Sequence, residues 1–152
     1  MKTESGRSLI EVIGIMAITG VMTVTALGVY NTIRKNQIRN IANAELKQIV
    51  ENTKILMEAR DSYEGLSVDY LIKAGALKTK SAPIGNDSWT ISASTDGNTF
   101  SINLYGLDNG DCNFFATTKP KWAKTILING FEVRDTDNCF KSETNQISFD
   151  AE

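Results

Sequence analysis

The chain has 152 residues, 41% hydrophobic and 22% charged, which suits one ordinary folded domain and excludes a disordered polyelectrolyte. Its formal charge of −2 carries no basic bias of the kind that nucleic-acid binding needs. It has no histidine and only two cysteines, which removes His-dependent nucleophile pairs, His-ligated zinc and haem, and any four-Cys metal site. No cofactor is expected, and catalysis would have to rest on carboxylates, lysine or backbone donors.

The first element in the chain is an apolar run. From Val12 to Ile33 there are 22 residues without a charge, bounded by Glu11 and Arg34. About 20 apolar residues in a helix span a bilayer core. Four Thr and three Gly make the run less hydrophobic than a Leu-rich anchor. A cleavable secretory signal is the competing reading, with Lys2 and Arg7 as its basic start. Signal cores are usually about 7–15 residues long and end at a small-residue cleavage site. This run is longer and continues without a break into a helical pattern.

Glu11 lies just inside the apolar segment, between Ile10 and Val12. A charge at the centre of a span costs roughly 2.5–3.5 kcal/mol, and less near an edge. A residue kept at that cost usually has a partner, the alternative being a solvated carboxylate at headgroup level. Gly6-Arg7-Ser8-Leu9-Ile10-Glu11-Val12 resembles the processing site of type IV prepilins and the related pseudopilins of type II secretion. That family has a short polar leader ending in Gly, a new N-terminal residue, and a Glu at the fifth mature position before a long apolar helix.

The resemblance implies cleavage between Gly6 and Arg7 by a membrane-bound prepilin peptidase, with methylation of the new amine. Arg7 departs from the family, whose first mature residue is usually Phe or Met. The resemblance further implies that Glu11 pairs with the N-terminal ammonium of a neighbouring subunit. Gly20 and Gly28 flank a stretch rich in β-branched residues. They mark a place where the helix loosens on leaving the bilayer, or one where helices pack closely.

Helical periodicity continues through Tyr30, Ile33, Ile38, Ile41, Ile49, Val50, Leu56 and Met57, with charged residues mostly on the other face. Ser8 to about Arg60 reads as one helix of roughly 80 Å at 1.5 Å per residue. Asp61 to Gly65 reads as an exit loop. Ser67 caps a short helix through about Ala74, with Gly75 as its stop. Pro83 and Gly85-Asn86-Asp87 form a further loop. Strand signals in 89–93 and 99–104 surround Asp96-Gly97, and those in 125–128 and 131–134 surround Asn129-Gly130. The expected head is an antiparallel meander packed on the second half of the long helix. This is an α+β arrangement that suits the pilin roll.

Cys112 and Cys139 both fall in the head. An even count at wide spacing reads as one disulfide, with two reduced buried thiols as the alternative. Many pilins carry a C-terminal disulfide-bounded region of this kind. The basic residues Arg34, Lys35 and Arg39 would place the head in the cytoplasm, whereas a disulfide and the resemblance place it outside.

Other signals are weaker. Asp135-Thr136-Asp137-Asn138 begins like a calcium loop but lacks the required Gly and Glu. Asp108-Asn109-Gly110-Asp111 reads as turn chemistry. Asn86-Asp87-Ser88 matches a glycosylation sequon. Phe114, Phe115 and Trp122 with Lys119, Lys121 and Lys124 form either a nucleic-acid-binding or adhesive surface, or ordinary packing.

The expected organisation is a leader at 1–6, an apolar helix at 7–30, an amphipathic half at 31–60, and a head at 61–152 with a disulfide-bounded region at 112–139. The function this implies is that of a structural, non-enzymatic subunit of a type IV pilus or pilus-like filament. It would be made as a precursor in the bacterial inner membrane and end in an extracellular pilus or a periplasmic pseudopilus. Its expected partners are further copies and other pilins, the prepilin peptidase, the inner-membrane assembly machinery and the membrane itself; nucleic acid is not an expected partner. The alternatives are a type II secretion pseudopilin, a membrane-anchored binding domain that never assembles, and a secreted enzyme cleaved beyond the span.

Overall fold

Forty-nine residues without a proline form one α-helix, α1, at Leu9–Met57, which ends in a 3-10 turn at Glu58–Arg60. Asp61, in the left-handed region at φ 51°, stops it. The computed structural model describes residues 9–133 and 138–152. Two compact units make up the chain, residues 1–37 and 38–152.

In the second unit, α1 buries Ala42, Leu46, Ile49, Val50, Thr53 and Met57. These positions recur at spacings of three and four, so they form one stripe. A short helix, α2, spans Val68–Lys73. Its cap is Ser67, whose hydroxyl accepts from the Tyr70 amide at 3.2 Å. Gly75 follows at φ +76°, a conformation that stops a helix.

Five strands complete the head: β1 (Thr90–Ala93), β2 (Phe100–Leu107), β3 (Thr125–Ile128), β4 (Phe131–Glu132) and β5 (Asn145–Ala151). Asn129 and Gly130 sit at φ 52° and 86°, the two positive values that a tight β3–β4 hairpin turn demands. A third helix, α3, spans Asn109–Thr118.

The fold is the expected α+β roll, but not a meander. The strand order is β1-β2-β5-β3-β4, and all neighbouring pairs are antiparallel. The C-terminal strand thus enters the middle of the sheet, where both its edges find partners. Its Ile147, Phe149 and Ala151 point into the core. The expected turn at Asp108–Asp111 is instead the start of α3. Asp108 is its N-cap and accepts from the Asp111 amide at 2.6 Å. The proposed calcium-like turn falls on residues 135–137, which lie outside those described.

One face of the sheet packs on α1. Phe100, Ile102, Leu104, Ile147 and Phe149 meet Leu46, Ile49 and Val50 in a single buried cluster. Each such side chain contributes about 1.5–3 kcal/mol on burial. Helix α3 covers part of the same core through Phe115, whose ring meets that of Phe149 edge-on at 5.5 Å. Arg39 of α1 donates from Nε to Asp111 at 2.7 Å, which ties α3 to the long helix.

Without histidine, the head has few groups that titrate near neutrality. Lys80 holds the Asp69 carboxyl below its ordinary range, the Ser94 hydroxyl does the same for Asp96, and Lys124 for Glu152. Burial, with help from Glu152, pushes the Tyr63 phenol up. The depressed carboxyls stabilise the fold above about pH 4, and that share is lost as pH falls through their folded values. The raised phenol stabilises it below about pH 10, and that share is lost as pH rises. Thermal midpoints measured across the pH range should therefore be flat from about pH 5.5 to 9 and fall at both ends.

Candidate assembly surfaces

The first surface is the helix of the N-terminal unit. Ile13, Ile15, Met16, Ile18, Val21, Met22, Val24, Leu27, Val29 and Ile33 are all more than half exposed. They surround the whole circumference of the helix, so no polar face remains to meet water. The segment is long and apolar enough to cross a membrane, and its most apolar stretch is wholly unburied.

Its threonines fit that environment. Thr19 donates to the Ile15 carbonyl at 2.7 Å, Thr23 to Thr19 at 2.8 Å, and Thr25 to Met22 at 2.9 Å. Each hydroxyl is satisfied by its own helix, so the span stays outwardly apolar despite its composition.

Glu11 is in the first turn of α1 and exposed. A carboxylate there also meets the positive end of the helix dipole. Gly20 and Gly28 lie within the helix, and a Cβ at either would meet only open space. Both positions form smooth notches on its surface. Gly6 and Arg7 lie outside the described residues.

The second surface is the disulfide-bounded part of the head. Cys112 on α3 is bridged to Cys139, with Cα atoms 5.9 Å apart. The neighbouring backbone is held by three asparagines, two of which (Asn109 and Asn129) the sequence marks only as turn residues and one (Asn145) not at all. Asn145 is fully buried at the start of β5. Its carbonyl oxygen accepts from the Phe140 amide at 2.7 Å and from the Asn129 amide group at 2.9 Å. Its own amide group donates to the carbonyls of Phe140 at 3.0 Å and Leu107 at 3.2 Å. Asn129 also donates to the Asn138 carbonyl at 2.7 Å, and Asn109 to that of Phe140 at 2.9 Å. The segment 138–140 is therefore pinned from α3, the β3–β4 turn and β5 as well as by the bridge. At Asn109 and Asn129 the glycine that follows reads as a turn signal and conceals this role, and at Asn145 no local signal points to it.

The aromatic and lysine group separates. Phe115 is fully buried, and Trp122 packs on Phe149 at 5.4 Å. Phe114 is half-buried beside Phe115. These rings are core and its margin, not a stacking platform. Lys119, Lys121 and Lys124 are exposed, and Lys124 pairs with Glu152. Among the described residues no cluster of acidic or sulfur side chains is arranged to hold a metal ion.

This is the fold of the type IV pilins. The chain superposes on a type IV pilin, TcpA, from the El Tor biotype of Vibrio cholerae, with a TM-score of 0.61. The match is 12% identical and covers 76% of this chain and 99% of the other. It also superposes on the type IVb pilin of Salmonella typhi, with a TM-score of 0.55 and 21% identity over 72% and 97% of the two chains. No protein-family model matches the chain, and no curated protein sequence does.

Asn145→Ala strands several buried polar groups and should cost about 2–4 kcal/mol in denaturant unfolding of the head. Reducing the bridge frees a loop of 27 residues' separation, worth about 3.5 kcal/mol on the chain-entropy model, and should lower the same midpoint.

Proposed function

We propose that this chain is the structural subunit of a type IV pilus or pilus-like filament. It is made as an inner-membrane precursor, cut between Gly6 and Arg7 by a prepilin peptidase, and methylated at Arg7. Residues 7–30 anchor the precursor and then enter the filament core. Residues 31–60 carry the head, and residues 61–152 form the outer surface. The subunit performs no chemistry of its own; peptidase, assembly machinery and membrane are its partners.

The observation that carries this reading is the exposed apolar helix with Glu11 in its first turn, in a chain with the pilin fold. Such a helix is at home in lipid. It leaves lipid only for another apolar environment, and a bundle of identical helices offers one. Inside that bundle a carboxylate requires a cation. The new N-terminal ammonium of a neighbouring, axially staggered subunit supplies it, so Glu11 sets the register of assembly.

Removing one member of a charge pair buried in this way costs about 3–5 kcal/mol, because the other charge stays behind uncompensated. Glu11→Ala should leave the precursor inserted and cut. It should reduce filament recovered by shearing by at least about a hundredfold. Wild-type yields from Glu11→Ala would remove the register role.

A further inference from the structure

Phe140 combines two properties that rarely coincide. Its backbone is held at both polar groups: its amide donates to Asn145, its carbonyl accepts from Asn109 and Asn145, and its neighbour Cys139 is bridged. Yet its side chain is 55% exposed. A rigidly mounted, uncovered aromatic ring is costly to leave in water and loses little freedom on binding. Two charges follow it, Lys141 and Glu143, both exposed and without an ionic partner among the described residues.

Elsewhere in the head a cleft of about 350 Å³ opens between α1 and the loop after α2. That volume lies in the ordinary range for ligand sites. Its apolar lining comes from Ile49, Leu77 and Trp89, beside polar Gln48 and Ser81. Asn52 closes one end by donating to the Ala76 carbonyl at 2.9 Å. Its rim carries Glu45 on the helix side and Lys78 on the loop side. Neither has an ionic partner among the described residues, whereas nearby Lys80 is paired with Asp69.

The geometry points to one occupant for this cleft: the Phe140–Glu143 segment of a second copy of this chain. Phe140 enters over Trp89 and Leu77, Lys141 meets Glu45, and Glu143 meets Lys78. The pairing is of opposite sign at both charged positions. The exposure of Phe140 shows that it does not fill the cleft of its own chain. A knob and a socket on different patches of one molecule make a heterologous contact, which propagates into an open filament rather than closing a dimer. This inference rests on the filament reading above and adds to it a specific contact between heads.

The test is a charge swap in the full chain, read as sheared filament per total membrane protein, with bridge formation in the head as the check on folding. Glu45→Lys and Lys141→Glu should each lower filament yield about tenfold, the size of a contact that matters at an interface. The double variant should restore it. Phe140→Ala should lower the yield too, with the bridge still formed. Singles that assemble like wild type, or a double no better than the singles, overturn the docking contact and leave the filament reading standing. A wild-type chain that forms no filament at all overturns both.

Discussion

Between Val12 and Ile33 the long helix presents aliphatic side chains around its whole circumference, and no described residue covers them. Other features follow from satisfying that surface. Lipid would satisfy such a surface, and so would the bundle of identical helices that the filament reading proposes. In lipid the backbone must bond internally, so the glycines and β-branched residues of the segment stay helical there despite their weak propensity. The threonine hydroxyls turned onto carbonyls serve the same end. Glu11 is the exception at the edge, and in the filament reading an apolar bundle gives it one way to be neutralised: another subunit's cation.

The head meets a different constraint. It holds its shape with few exposed ion pairs among the described residues. Surface pairs such as Lys80–Asp69 and Lys47–Glu51 contribute little in water. Shape comes from the apolar layer between α1 and the sheet, and from the buried amide network around Asn145. That network and the bridge restrain the same short segment, so Phe140 is displayed on a fixed backbone.

Much of this was legible from local signals. The unbroken helix follows from the absence of proline and from an apolar period that continues past the span. The Ser67 cap and the Asn129-Gly130 turn are each specified by their own residues, whatever packs around them. What was illegible depends on distant partners. Helix α3 opens on Asp-Asn-Gly, which reads as a turn; burial of Phe115 and Ala116 and the bridge at Cys112 decide for helix. Strand β5 alternates buried and exposed residues, but nothing local says that it inserts between β2 and β3. Among the site residues, Glu11 stood out because a charge in an apolar run is anomalous by itself. Asn145 and the cleft beside Trp89 did not, because their meaning comes from contacts across the fold.

The central claim is that this chain enters a filament through a processed N-terminus that brings its ammonium within reach of a neighbour's Glu11. The most direct measurement is the intact mass and N-terminal sequence of the protein in sheared surface material from cells that express it. The account predicts a chain that begins at Arg7 and is one methyl group heavier than its sequence. A chain that begins at Met1, or one that begins beyond about residue 25 with the apolar helix removed, would contradict it.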